Sequence, residues 1–169
     1  SLRKYKNPRD KKIILKTLEW IEQEMGSPEK GYASSLSAET NEMEGAHYLW
    51  TESELFEALG KAQGNQLEEL WGTFAKSPDP LFLPKLVDED QMPVERQAEI
   101  FKELRKDRKK LTSPKRDEKR SCFQHALLVR AYLDAGVALG NQNCITKAEN
   151  LLIWMENSFS QPDGSVCSL

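Results

Sequence analysis

Apolar residues recur at one-face helical spacing in six places along the chain. Ile14, Leu15, Leu18, Ile21 and Met25 predict an amphipathic helix over about 9–25, stopped by Gly26 and Pro28. Thr51-Glu52-Ser53-Glu54 has the form of a capping box and opens a helix burying Leu55, Phe56 and Leu59, with Gly60 as its stop. Leu67, Leu70, Trp71 and Phe74 mark a third helix near 65–76. Pro93 suits the first turn of a fourth, whose inner stripe is Val94, Ala98, Phe101 and Leu104. The most apolar long helix runs over Glu118 to Leu139, with Ala126, Leu127, Val129, Ala131, Leu133 and Val137, closed by Gly140. Ile145, Ala148, Leu151, Leu152, Met155 and Phe159 form the last. A short loop joins these two, so they should pack antiparallel.

Two aromatic-rich runs, Tyr32–Leu36 and Ala46–Trp50, flank the polar loop 37–45 and predict one small β-hairpin. Strand alternation would place Tyr48 and Trp50 on one face and His47 with Leu49 on the other. The stretch 77–92, with Pro78, Pro80 and Pro84, reads as an internal connector. The pattern is that of one all-α domain, 1–169, built of antiparallel α-hairpins.

Composition narrows the function classes. The chain has 169 residues, 38% hydrophobic and 30% charged, as in a globular protein. Its formal net charge of −3 does not suggest a nucleic-acid or membrane partner. The charged segment Ser1–Lys12 lacks the apolar core of a signal peptide. Three cysteines, Cys122, Cys144 and Cys167, form no Cys-x-x-Cys pair, which points to free thiols in a reducing, cytoplasmic compartment. No metal-ligand spacing, phosphate loop or nucleophile elbow occurs, so neither a metal nor a cofactor is expected.

Charge is nevertheless uneven. Gly31–Gly60 holds six acids and no Lys or Arg, whereas Lys102–Arg120 holds ten bases against four acids. Glu103 and Asp107 among the bases, and the absence of interleaved aromatics, favour a solvated helix face over a nucleic-acid site. The two segments are expected to face each other, within the chain or between copies.

Two stretches carry a resemblance. Gly31-Tyr32-Ala33-Ser34-Ser35-Leu36-Ser37-Ala38-Glu39-Thr40 with Glu44-Gly45-Ala46-His47-Tyr48-Leu49-Trp50-Thr51 resembles the pattern G-F-Y-S-A-x-D-A-D-S-x…E-G-x-F-Y-V-W-T. That pattern belongs to the helical region of the thioredoxin-domain proteins related to spermatogenesis-associated protein. Leu111–Arg120, with Pro114 and Asp117-Glu118-Lys119, resembles the R-P-x-x-D-D-K stretch of the same family. The resemblance implies part of an (α/α)6 toroid like that of six-hairpin glycosidases and N-acylglucosamine 2-epimerases, without the thioredoxin-like domain. Six helices supply half of such a ring. The chain then reads as a slice of a longer parent, with Ser1-Leu2 a vector remnant, and its open apolar faces call for a homodimer or for the missing part of the parent.

The same resemblance implies a cavity for a small sugar-like ligand. Any activity would be epimerase- or glycosidase-like and would require the parent protein. The cavity candidates are Tyr32, Glu39, His47, Trp50, Asp117, Glu118, Lys119 and His125. Such chemistry needs a proton donor and acceptor set across a sugar ring, and aromatic rings can wall a sugar face. Ser37 stands where the family has its first acid, and Gln124-His125-Ala126 where it has W-N-G, so the cavity chemistry is altered. A satisfied core histidine is the plain alternative for His125, a surface or hydrogen-bonded strand histidine for His47, core packing for Trp50, a turn cap for Glu39, and a helix-opening acid pair for Asp117-Glu118. The rival class is a non-enzymatic α-hairpin scaffold that binds a protein partner.

Overall fold

The computed structural model describes residues 7–77 and 79–167. Ser1-Leu2 and Pro78, singled out above, lie outside the described residues. The chain is mainly α-helical, with six helices and small sheets among the described residues. It divides into two compact units, one formed by Ser1–Leu36 with Arg116–Leu169 and the other by Ser37–Lys115.

The first unit contains helices α1 (Pro8–Glu24), α2 (Cys122–Leu139) and α3 (Gln142–Phe159). The Asn7 side chain caps α1, and Pro8 fills its first turn. The α2–α3 pair is the hairpin expected from the short loop. Gly140 takes the left-handed conformation that ends α2, and the Asn141 side chain caps α3. The helices approach closely at Gly136, where a Cβ would sit 2.6 Å from the Cγ1 atom of Ile145. Leu18 of α1, Val129, Tyr132 and Ala135 of α2, and Cys144, Ala148 and Leu151 of α3 form the core. Two short antiparallel ladders complete the unit. β1 (Gly26–Ser27) pairs with β2 (Gly31–Tyr32), and β3 (Ser35–Leu36) pairs with β4 (Arg116–Asp117), Ser35 opposite Asp117.

The second unit begins with the hairpin of β5 (Glu39–Thr40) and β6 (Met43–Glu44). It continues through β7 (Trp50–Thr51), α4 (Glu52–Leu59), α5 (Lys61–Trp71), β8 (Ala75–Ser77), β9 (Asp79–Phe82) and α6 (Val94–Arg108). The predicted capping box at Thr51 and Glu54 is formed. Its core is Trp50, Leu55, Leu67, Trp71, Phe82, Met92, Ile100 and Leu104. Within the stretch read as a connector, β9 joins a three-stranded sheet between β7 and β8.

Four expectations are corrected. The runs Tyr32–Leu36 and Ala46–Trp50 do not pair with each other; β2, β3 and β7 each find another partner, and the hairpin lies inside the loop between the runs. Asn41 and Glu42, both at positive φ, make its two-residue turn. The third helix in chain order ends at Trp71, because Gly72 at φ +65° cannot continue it, and Phe74 lies outside it. Asp117-Glu118 does not open a helix; Asp117 is in a strand and Ser121 caps the helix that follows. The inner stripe of α6 is Gln97, Ile100 and Leu104, with Phe101 half-buried on the Trp71 ring, while Val94 and Ala98 are exposed. Gln97 is tolerated there because its amide accepts from Val87 N–H and donates to the carbonyls of Val87 and Met92.

Candidate functional site

Of the eight sequence candidates, Tyr32, Asp117, Glu118, Lys119 and His125 belong to the first unit, and Glu39, His47 and Trp50 to the second. In the first unit the β3–β4 ladder ties the glycine-tyrosine stretch to the acid-acid-lysine stretch. His125 strengthens that tie. It is 2% exposed, and its Nε2 atom accepts from the Tyr32 backbone N–H at 2.9 Å. Nε2 therefore carries no proton, so Nδ1 does, and it donates to the Ser121 carbonyl at 2.7 Å. The ring stacks on Trp154 with centroids 4.9 Å apart and meets Phe159 edge-on. Both nitrogens are engaged, and burial lowers the imidazole pKa below its ordinary value. This is the satisfied core histidine, holding β2 against α2.

The linkage has a definite sign. The folded imidazole resists protonation, so below about pH 6.5 the unfolded chain takes up the proton first. The contribution of His125 to stability is complete above that pH and is lost as the pH falls toward the folded value, by at most about 1.4 kcal/mol per unit. Urea midpoints compared at about pH 8 and about pH 5 should drop further in the wild-type chain than in His125→Gln.

Beside this histidine runs a polar chain absent from the sequence candidates. Lys147 Nζ contacts both Glu22 carboxylate oxygens, at 2.7 and 2.8 Å. Tyr132 donates its hydroxyl to Glu22 at 2.7 Å, which leaves its oxygen to accept from Tyr32 at 3.1 Å. Burial pushes both tyrosine pKa values far up, so both phenols stay protonated. α1, β2, α2 and α3 are thus joined by one directed relay. A tyrosine amid the aliphatic residues of the most apolar helix was the available signal. Nothing in sequence spacing pointed to Glu22 or Lys147, more than a hundred residues apart.

A groove of about 350 Å³ lies between α1 and α2. Trp20, Ile21, Met25, Leu127, Leu128 and Ala131 form its walls, and Tyr32, Ala33, Ser34, Gln124 and His125 complete the lining. Gln124 donates to the Ser34 carbonyl at 3.4 Å. No carboxylate lines the groove. Asp117, Glu118 and Lys119 pair locally instead, Glu118 with Arg116 at 2.9 Å and Arg120 at 3.6 Å, Asp117 with Lys119 at 3.9 Å. These side chains are 29–81% exposed, and such pairs contribute little.

In the second unit the three candidates have different surroundings. Glu39 is exposed in the β5–β6 hairpin. His47 Nδ1 lies 3.1 Å from the Thr112 carbonyl, and its ring meets Tyr48 edge-on at 5.1 Å. Trp50 is buried, with the Arg108 guanidinium 4.3 Å from its ring centroid. The expected alternation fails, because Gly45 at φ +74° starts a turn whose carbonyl accepts from Tyr48 and Leu49 N–H. Tyr48 is consequently 44% exposed while Leu49 and Trp50 are both buried. Burial lowers the Arg108 pKa, against the opposing field of Glu54, and its arms donate to the carbonyls of Ala46 and Leu49. The described residues hold no cluster of His, Cys, Asp and Glu suited to a metal. No described helix is long and apolar enough to cross a membrane.

No protein-family model matches the chain, and no curated protein matches it either.

Proposed function

We propose that this chain is the helical-toroid segment of a protein of the thioredoxin-domain family, and that it works by binding rather than by catalysis, as an α-hairpin scaffold. One observation carries the reading. α2 has apolar residues on every side, yet Phe123, Leu127, Leu133 and Val137 are 71%, 53%, 37% and 54% exposed. Four large apolar side chains exposed on one face, around the exposed Arg130–Asp134 pair, mark a surface that another protein element covers. From Phe123 to Val137 the exposed face runs about 21 Å at 1.5 Å per residue, a length on which another helix packs ridge into groove. Leu127 is shared between that face and the groove beside α1. The β3–β4 ladder, joining the two stretches that carry the family resemblance, supports the toroid reading.

Binding is favoured over turnover by what the groove lacks. Acid–base chemistry on a sugar needs a poised donor and acceptor. The groove has no carboxylate, and both nitrogens of its histidine are committed. Its mostly apolar walls suit the face of an amphipathic helix better than a hydroxyl-rich sugar. Phe123→Asp/Leu127→Asp should keep the helical content, because both side chains are exposed, and should bind a solvatochromic hydrophobic dye several-fold more weakly. Unchanged dye binding would remove the exposed face as the binding surface. Incubation with N-acyl hexosamines should show no exchange of the C2 proton with solvent, and measurable exchange would contradict the scaffold reading.

A further inference from the structure

The second unit carries two charged surfaces of opposite sign that its own fold does not join. On α6 and its C-cap residue, Lys102, Arg105, Lys106 and Lys109 recur at i, i+3, i+4 and i+7, which makes one stripe. All four are exposed, on the side opposite Ile100 and Leu104. Among the described residues none of these side chains enters an ion pair or hydrogen bond. The nearby acids are engaged elsewhere or stand apart: Glu99 pairs with Arg96, Asp107 with Lys110, and Glu103 flanks the stripe without pairing. On α4 the Glu54 carboxylate is taken up by the capping box, where it accepts from the Thr51 N–H and hydroxyl.

The opposite surface is the β5–β6 hairpin. Its register sets Glu39 directly across from Glu44, with Glu42 in the turn between them. All three are exposed, and none is in an ion pair among the described residues. Like charges directly opposite each other disfavour a hairpin, and a facing row of cations relieves them. Met43, 47% exposed between two of the acids, adds an apolar contact.

We propose that the chain self-associates by seating the hairpin of one protomer on the α6 stripe of a second copy. The page favours a copy of this chain over a nucleic acid, because three acids and four cations are displayed by the same unit and no aromatic residue interrupts the cations for base stacking. Its chemistry also distinguishes this contact from one through the apolar residues of α2. Association through charges weakens with salt, whereas apolar association does not.

The test is the solution mass of the full chain by light scattering at about 0.01 M salt and again at about 1 M, where charges are screened beyond ~3 Å. The expected result is association at low salt and monomer at high salt. A chain with Glu39→Lys, Glu42→Lys and Glu44→Lys should be monomeric at both, as should one with Lys102→Glu, Arg105→Glu, Lys106→Glu and Lys109→Glu. Their equimolar mixture should associate at low salt, since each reversed surface then meets its complement. Circular dichroism of both variants checks that the exposed substitutions leave the helices intact. A wild-type chain that is monomeric at low salt overturns the proposal, as does association that survives either reversal or a mixture that fails to associate. Low-salt retention of an RNA oligonucleotide by a monomeric wild-type chain would assign the stripe to nucleic acid instead.

Discussion

Gly31→Ala should destabilise the chain by on the order of 3 kcal/mol, the sum of a strained backbone and an overpacked core. Gly31 sits at φ +73°, a conformation that side chains with a Cβ rarely adopt. A Cβ placed there would also fall inside the indole of Trp154. That ring cannot retreat cheaply, because it is stacked on His125 and meets Phe159 edge-on at 5.2 Å. Urea titration followed by circular dichroism measures the loss. In a Trp154→Leu background the steric part should disappear, so Gly31→Ala should cost about 1–2 kcal/mol less there. Equal costs in the two backgrounds would mean that the indole does not occupy this place.

Tyr132→Ala should cost about 3–5 kcal/mol, and Tyr132→Phe about 1–2. The side chain is fully buried at the centre of the first unit's core, so truncation to alanine opens a cavity between α1, α2 and α3. Phenylalanine keeps the packing and removes only the hydroxyl between Tyr32 and Glu22. Glu22 still holds Lys147 in that variant, while the Tyr32 hydroxyl loses its acceptor. The difference between the two urea midpoints therefore divides packing from hydrogen bonding. A Phe variant as unstable as the Ala variant would show that the relay contributes more than the ring.

The legible part of the fold was the part that local chemistry decides. Thr51 and Glu54, three residues apart, specify a helix start whatever surrounds them, and the capping box is there. The α2–α3 hairpin follows from Gly140 and Asn141 in the same way. Strand pairing was not legible, because Tyr32 and Trp50 lie in two-residue strands whose partners are set by the tertiary fold. The inner stripe of α6 was misplaced for a related reason. Gln97 looks polar until the Val87 and Met92 carbonyls take up its amide.

The candidate site divides along the same line. His125 was visible on an apolar helix, and the choice between a base and a satisfied core histidine fell to Tyr32 N–H and the Ser121 carbonyl. The acid-acid-lysine stretch was found next to the glycine-tyrosine stretch, through Ser35 and Asp117, but its charged groups pair with each other instead of lining the groove. Glu22 and Lys147 carried no sequence mark, since each is an ordinary charged residue on an amphipathic helix.

His125 is spent on architecture, with both ring nitrogens engaged beside the groove. The most direct test is the nitrogen-15 spectrum of the His125 ring as the pH is lowered from neutral. The expected result is a neutral ring with the proton on Nδ1 at neutral pH and a protonation midpoint below that of a free imidazole. A ring that carries its proton on Nε2 at neutral pH, or that titrates at or above the ordinary histidine value, would contradict it.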